Sequence, residues 1–252
     1  GLDVVSAGEI ATAKKADFPM ENAYFHSNNK TDADIALAMD CGVGYFVADN
    51  VEEVDAVNAF AAEKGIRQKI LLRLTPGIDP HTYAAVATGK VDSKFGSAIE
   101  TGQAAQITAH TLNCKNVELV GFHCHVGSQV FDSDVFLRAS EIMLDFIAEM
   151  RDSLGYTARM LDLGGGYGVR YVESDPVLDI ASNIETVARA VKAKCASLNL
   201  PLPAIRMEPG RSIVADAGIT LYTAGTVKRI PFTALQTNRK GGIRALTLDE
   251  GD

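Results

Sequence analysis

The sequence lacks any long hydrophobic run and any cluster of basic residues. Its 252 residues include 24 Lys and Arg against 32 Asp and Glu, for a formal net charge of −8. An acidic surface repels polyanions, so binding to nucleic acid or to an anionic membrane is not expected. A transmembrane helix needs about 20 apolar residues in succession. We therefore expect a globular, cytoplasmic protein with no signal peptide.

Cysteine is scarce, with four residues at positions 41, 114, 124 and 195. Their spacings match no zinc-binding motif. Three of them lie within apolar runs, which predicts reduced and buried thiols. We expect no metal site from this pattern.

The chain alternates short β-branched runs with longer helical segments, and its first residues already read as a strand. This opening predicts that the chain is truncated at its N-terminus. Predicted strands cover residues 2–6, 23–26, 44–48, 69–74, 118–125, 160–163 and 204–207. Predicted helices cover residues 8–15, 31–39, 51–64, 104–112, 136–154 and 180–198, with Thr31 as an N-cap.

Apolar strands alternating with helices indicate a parallel sheet. Seven such units predict an α/β fold, a (β/α)8 TIM-type barrel that lacks its first βα unit, over residues 1–217. A doubly wound sheet is the alternative, but no Gly-x-Gly-x-x-Gly follows the first strand. Residues 220–230 and 243–248 alternate like antiparallel strands, so residues 218–252 are predicted to start a C-terminal β-rich domain.

A glycine-rich segment, Asp162-Leu-Gly-Gly-Gly-Tyr-Gly168, follows the sixth predicted strand. Consecutive glycines let backbone N–H groups point at an anion without interference from Cβ atoms. Barrels often bind phosphate after strands seven and eight, which is this position if one strand is missing upstream. The alternative is a tight turn that needs positive φ.

Glu208-Pro-Gly-Arg-Ser212 follows the last predicted barrel strand. It brings a carboxylate and an arginine to the face where barrels carry functional residues. Arginine suits phosphate or carboxylate because its fork donates in pairs. A structural Glu–Arg pair is the alternative.

Two histidines flank Cys124 at the end of the fifth predicted strand. Because side chains alternate along a strand, His123 and His125 are predicted to share one face. A metal pair would need further ligands, and none is obvious in the sequence. The long polar loop over residues 75–96 is predicted to be a functional loop or a solvated flap.

Four motifs in this order resemble the diaminopimelate decarboxylase family, among the alanine-racemase-type (fold type III) pyridoxal-phosphate enzymes. They are PGIDPHT with DSKFG, then HVGSQ, LDLGGGYG and EPGRS. The resemblance spans residues 1 to about 230. It implies a pyridoxal 5'-phosphate cofactor, a homodimer, and a carboxy-lyase that converts meso-2,6-diaminopimelate to L-lysine and CO2.

The resemblance also implies roles for single residues. It implies catalytic roles for two residues. His125 resembles the histidine that stacks on the cofactor ring, and Glu208 resembles the carboxylate paired with the pyridine nitrogen. Cofactor contacts are implied for His125, Ser128, Gly164, Gly165, Gly166, Glu208, Gly210 and Arg211. Arg211 is also implied to bind a substrate carboxylate. Support of the site is expected from Asp3, Ser6, Glu9, His26 and Arg73.

Two features of the family are absent from the sequence. The Tyr-x-x-Lys-Ala-Asn-type motif that carries the Schiff-base lysine does not occur, nor does the C-terminal Cys-Glu-Ser-x-Asp stretch with its later tyrosine. We therefore expect a fragment that lacks activity alone. Alternatives are a decarboxylase for ornithine, arginine or carboxynorspermidine, and a non-catalytic regulatory homologue. The motifs argue against a racemase, and the β-rich end argues against a barrel-only cofactor carrier.

Overall fold

The computed structural model describes residues 1–79, 95–171 and 173–215, together with the backbone of two strands beyond them. Helices alternate with the strands of one sheet. The strands are β1 (Leu2–Val4), β2 (Ala23–Phe25), β3 (Tyr45–Ala48), β4 (Gln68–Thr75), β5 (Ser97–Ala98), β6 (Val117–His123), β7 (Met160–Gly165), β8 (Ala204–Glu208), β9 (Gly218–Thr223) and β10 (Thr226–Pro231). The helices are α1 (Ala7–Lys15), a short 3-10 turn (Met20–Asn22), α2 (Asp32–Asp40), α3 (Val51–Lys64), α4 (Gln103–Asn113), α5 (Ser133–Leu154), α6 (Ile180–Ser197) and α7 (Gly210–Val214).

Seven strands pair in parallel in the order β1-β2-β3-β4-β6-β7-β8, with β5 added to β4. They form a nearly closed TIM-type barrel, which confirms the predicted fold class. Among the described residues, β1 and β8 pair on one side only. A cleft of about 380 Å³ lies between them, lined by both strands and by Tyr24 and Asp162.

Local sequence explains where the helices begin and end. The Thr31 hydroxyl accepts the Asp34 N–H while the Asp34 carboxylate accepts the Thr31 N–H, a complete capping box that confirms the predicted N-cap. The N-cap of helix α3 is Asn50, whose side chain accepts the Glu53 N–H. Its C-cap is Gly65, with φ +64°. Glycine at that left-handed position terminates a helix without a Cβ penalty.

The barrel interior changes character along its axis. A lower apolar layer contains the buried side chains of Tyr24, Val47, Leu71, Val120 and Met160. At the C-terminal ends of the strands the buried side chains are polar instead, among them His26, Asp49, His123 and Asp162. Buried polar groups need partners, so the upper layer is where the fold positions chemistry.

Two predictions about local structure were wrong. Residues 220–230 are not one strand, because β9 and β10 pair antiparallel with Thr223 opposite Thr226. Of the cysteines, only Cys124 and Cys195 are buried, while Cys41 and Cys114 are partly exposed.

Several predictions stay untested. The strand at residues 243–248 and most of the 75–96 loop lie outside the described residues. The division at residue 217 also remains a prediction. Within the part of the chain that is described, no helix is long and apolar enough to cross a membrane.

Candidate active site

Glu208, the last residue of β8, is the centre of the polar layer. Its Oε1 lies 3.1 Å from His26 Nε2 and 3.2 Å from His123 Nε2. The two imidazoles meet edge to face, with centroids 5.0 Å apart. His26 comes from the end of β2 and His123 from the end of β6, so three strand ends converge on one carboxylate oxygen.

The protonation of this cluster follows from burial and charge. Burial alone would raise the pKa of Glu208, but the two histidines outweigh it and hold the pKa well below its usual range. Burial opposes a charge on His26, yet the contact with Glu208 and the nearby Asp3 raise its pKa. His123 is more deeply buried, which lowers its pKa to about 4. The cluster thus favours the ionised form of Glu208 and the protonated form of His26.

Two further carboxyl groups face this cluster. Burial and the charge of Glu208 raise the pKa of Asp162 to about 7, and the same two causes raise the pKa of Asp3 to about 6. Asp162 Oδ1 accepts the Gly164 N–H at 2.9 Å. The site therefore concentrates negative charge around Glu208 and favours a cationic group beside it.

His26, His123 and Glu208 also have the composition of a metal site, since their ligand atoms all lie within 4.8 Å of one another. Two histidines and one glutamate bind zinc in some enzymes. The two N···O distances lie in the range of hydrogen bonds, although His26 Nε2, His123 Nε2 and Glu208 Oε1 make none of standard geometry. The composition alone does not favour a metal.

The glycine-rich segment fits too closely against neighbouring strands to carry side chains. A Cβ on Gly166, whose φ is +96°, would lie 1.8 Å from the Gly127 carbonyl oxygen. A Cβ on Gly165 would lie 1.9 Å from the Glu208 carbonyl oxygen. The glycines are thus required by close backbone approach at the mouth of the barrel, as well as by positive φ.

The loops after β6 and β7 are joined to each other. The Gln129 side chain donates to the Val169 carbonyl at 2.8 Å and accepts the Val169 N–H at 3.1 Å. Val130 N–H donates to the Gly166 carbonyl at 2.9 Å. This ladder fixes the loop that contains Ser128 against the glycine-rich segment.

Arg211, in α7, reaches across to these loops. It donates to the Ser128 hydroxyl at 2.8 Å and to the Tyr171 hydroxyl at 3.0 Å. The arginine is exposed, and it lies with Ser128 although 83 residues separate them. A cation and a hydroxyl beside glycine backbone form a natural cradle for a dianion.

His125 lies between the glycine-rich segment and the Glu208 cluster. The Gly165 N–H donates to its Nδ1 at 3.3 Å, so Nδ1 carries no proton in this arrangement. Burial and the nearby Arg73 cation lower the pKa of His125 to about 4. A neutral imidazole at this place offers a flat surface rather than a charge.

Most of the predicted site residues are brought together by the fold. Glu208, His125, Ser128, Arg211 and residues 164–166 share the mouth of the barrel, and Gly210 begins α7 beside them. Of the supporting residues, Asp3, His26 and Arg73 face the polar layer. Ser6 and Glu9 do not lie on a strand, because they cap the start of α1: the Ser6 hydroxyl accepts the Glu9 N–H.

Some residues of the site escaped the sequence analysis. Asp162 was read only as part of a phosphate-binding motif, and Tyr171 and Asp49 were not considered. The signal for Asp49 is its place one residue after a buried strand, as for His26. His123 was weighed for a metal, and its contact with Glu208 could not be seen without the order of strands around the barrel.

The chain is similar to known proteins over most of its length. Residues 1–215 match the family described as pyridoxal-dependent decarboxylase, pyridoxal binding domain. The diaminopimelate decarboxylase of Bacillus subtilis (strain 168) is 41% identical over 242 residues, 96% of this chain and 55% of that protein. That of Bacillus methanolicus is 41% identical over 230 residues, 91% of this chain and 53% of that protein.

Solved structures show the same similarity. Diaminopimelate decarboxylase from M. jannaschii in complex with L-lysine superposes with a TM-score of 0.75 at 31% identity, covering 90% of this chain and 53% of the other. The Helicobacter pylori enzyme complexed with L-lysine gives a TM-score of 0.76 at 28% identity, covering 90% and 56%. This chain thus spans about half the length of the relatives it matches.

Proposed function

Because the chain belongs to the pyridoxal-dependent decarboxylases, by the match of its first 215 residues to their pyridoxal binding domain, we propose that it forms most of the cofactor site of a diaminopimelate decarboxylase. The reaction would convert meso-2,6-diaminopimelate to L-lysine and CO2. The convergence of His26 and His123 on Glu208 is the observation that carries the proposal.

The residues at the mouth of the barrel fit pyridoxal 5'-phosphate. Its pyridine nitrogen needs an ionised carboxylate, and Glu208 is held ionised by its two histidines. Its phosphate needs donors at a backbone that can be closely approached, which Ser128, Arg211 and residues 164–166 supply. Its ring needs a flat neighbour, which a neutral His125 would supply.

Each residue would then have one task. Glu208 would hold a proton on the pyridine nitrogen, because a carboxylate beside a cation favours the charged form. His125 would stack on the ring and fix its tilt. Gly164, Gly165, Gly166, Ser128, Gly210 and Arg211 would anchor the phosphate, and anchoring sets the orientation of the reacting bond. When bound, pyridoxal phosphate supplies the electron sink for the carbanion that loss of CO2 leaves.

Arg211 is also proposed to meet a substrate carboxylate. Its guanidinium is exposed and donates to Ser128 and Tyr171 through two different nitrogens. A guanidinium has five N–H donors, so further bonds to an incoming anion are available. We propose in addition that the active form is a cytoplasmic homodimer, which the family resemblance supports.

Cofactor binding is the first test. The chain is titrated with pyridoxal phosphate and bound cofactor is measured by equilibrium dialysis. Glu208→Gln keeps the shape but removes the charge, and we expect at least about tenfold weaker binding, or 1.4 kcal/mol. The control is Glu118→Gln, which removes a surface carboxylate paired with Arg159 and should bind normally. Equal affinity in all three proteins would contradict the role of Glu208.

Activity is the second test, made on the longest gene product that contains this sequence. CO2 release is followed from meso-diaminopimelate, ornithine, arginine and carboxynorspermidine with the cofactor present. Release from meso-diaminopimelate alone is expected. Preference for another amino acid would overturn the substrate, and no release with any substrate would favour a regulatory homologue.

A further inference from the structure

Lys30 is a fully enclosed lysine outside the set of residues assigned to the cofactor. Its side chain is 0% exposed, and its partner Glu53 is 6% exposed. The ammonium donates to the Ser27 carbonyl at 2.9 Å, to the Val47 carbonyl at 2.7 Å and to Glu53 Oε1. An ammonium has three N–H donors, so each of them has an acceptor.

Such an arrangement is costly to build. A buried charge destabilises the fold unless it is paired and all its donors are satisfied. The carboxylate of Glu53 meets this need, and its other oxygen accepts the Asp49 N–H at 3.3 Å. A hydrophobic pair would fill the same space with no such requirement, so a buried ion pair at this place suggests a task beyond stability.

The first acceptor, Ser27, has a strained backbone. Its φ is +147°, in a region that residues with a side chain rarely adopt. Strained residues persist only where their surroundings hold them. Lys30 holds the Ser27 carbonyl, and the Ser27 hydroxyl accepts the Asn29 N–H at 3.2 Å.

The residue before Ser27 is His26, the histidine 3.1 Å from Glu208. The Ser27 carbonyl belongs to the peptide unit that follows the one joining His26 to Ser27. Holding this carbonyl in place therefore restrains the backbone rotation at Ser27, and with it the direction in which the chain leaves His26. A rotation at Ser27 would therefore move the imidazole away from the carboxylate that it supports.

We propose that Lys30 is a positioning residue, which fixes the strained carbonyl of Ser27 and thereby holds the His26 imidazole against Glu208. The chain of contacts runs from Glu53 in α3, through Lys30, to Ser27 and His26 at the end of β2. The proposal concerns geometry within the barrel and does not depend on activity. Its consequence for cofactor affinity rests on the proposed function.

The test compares two variants that differ only at Lys30. Glu53→Gln alone keeps the bonds of Lys30 to the Ser27 and Val47 carbonyls, while its single amide oxygen can replace only one of the two carboxylate oxygens that accept from Lys30 and from the Asp49 N–H. Lys30→Met with Glu53→Gln removes the lysine and leaves no unpaired buried charge. The exposed pair Lys64–Asp40, changed to Lys64→Met with Asp40→Asn, is the matched control.

The first readout is the titration of His26, followed by NMR of the labelled imidazoles without cofactor. His26 faces Asp3, Asp49, Glu208, Asp162 and His123. Its pKa is raised by its contact with Glu208, so loss of Lys30 should lower the pKa of His26 toward its ordinary value. The Glu53→Gln variant and the surface control should leave the titration unchanged.

The second readout is the affinity for pyridoxal phosphate. We expect it to fall about tenfold in the variant lacking Lys30, comparable with the loss of an outer-shell partner at a metal site. Adding Ser27→Gly to that variant should restore both readouts in part, because glycine adopts positive φ without strain.

The two readouts distinguish the positioning role of Lys30 from the proposed cofactor-binding function. If His26 titrates alike with and without Lys30 in folded protein, the positioning role is wrong. If His26 responds but the unaltered chain does not bind pyridoxal phosphate, the proposed function fails and the positioning role stands.

Should the double variant not fold, the unaltered chain provides a measurement of its own. The side-chain N–H protons of Lys30 should exchange with water far more slowly than those of Lys64. Equal exchange would overturn the enclosed, bonded lysine on which the proposal depends.

Discussion

At the scale of the residue, Gly166 occupies a position where the backbone leaves no room for a side chain. We predict that Gly166→Ala destabilises the chain by about 2–5 kcal/mol, because a Cβ meets the Gly127 carbonyl and φ stays positive. Urea unfolding measures the change. Gly8→Ala, in exposed helix, should instead stabilise by about 0.5–1 kcal/mol. Equal effects at the two positions would contradict the close approach.

Asp162 makes stability depend on pH in a direction opposite to that of a salt-bridged carboxylate. Its pKa rises from 3.8 to about 7 on folding, so between these values the folded chain keeps a proton that the unfolded chain has released. The contribution of Asp162 to the free energy of unfolding is therefore fully present below about pH 4, and it is lost as the pH rises through about 7.

We predict that Asp162→Asn removes this loss, since an amide cannot ionise and its oxygen can still accept the Gly164 N–H. The variant should therefore exceed the unaltered chain in free energy of unfolding by more at pH 8 than at pH 5. Urea unfolding at both pH values measures the difference. A stability difference that does not grow with pH would show that Asp162 is ionised throughout.

Sequence reasoning identified residues by motif but not by mutual contact. Glu208 and His125 were found because each lies at the end of a predicted strand within a distinctive motif. The convergence of His26 and His123 on one oxygen depends on which strands are neighbours across the barrel, which the sequence does not state. The positive φ of Ser27 has no sequence signal, because serine is not a residue that usually adopts it.

At the scale of the element, the loops after β6 and β7 act as one unit through Gln129. We predict that Gln129→Glu destabilises the chain by about 1–2 kcal/mol, because it removes the donor to Val169 and places a carboxylate beside that carbonyl. Binding of pyridoxal phosphate should weaken at the same time. Gln106→Glu, on the exposed surface of α4, should change stability by under about 0.5 kcal/mol.

Most barrel elements could be predicted because the central strands are buried apolar runs and the longer helices have one buried face. The β9–β10 hairpin was mistaken for one strand, since both halves alternate with the same period. Gly225 between two alternating runs was the overlooked signal for a turn. Strand ends were also misjudged by one or two residues, as at β6, which ends at His123.

At the scale of the whole molecule, the outer edges of β1 and β8 carry no paired strand in the described part of the chain. Unpaired edges template association with other chains. We predict that the chain self-associates, and that Ile205→Lys, on β8, reduces this association. Sedimentation over a range of concentrations measures it. Leu112→Lys is the control, at a leucine on α4 that is similarly exposed, and an equal reduction there would exclude the edge as the cause.

The four cysteines can be used as probes of local opening in the folded chain. Cys41 and Cys114 are partly exposed and should react with an alkylating reagent in the folded state, whereas Cys124 and Cys195 are enclosed. Cys124 lies between His123 and His125, and Cys195 lies in α6. The rate at which Cys124 is labelled would thus measure the opening of the strand end that carries the two histidines. The rate at which Cys195 is labelled would measure the opening of helix α6. A single time course read by mass spectrometry would rank the two motions in the native protein.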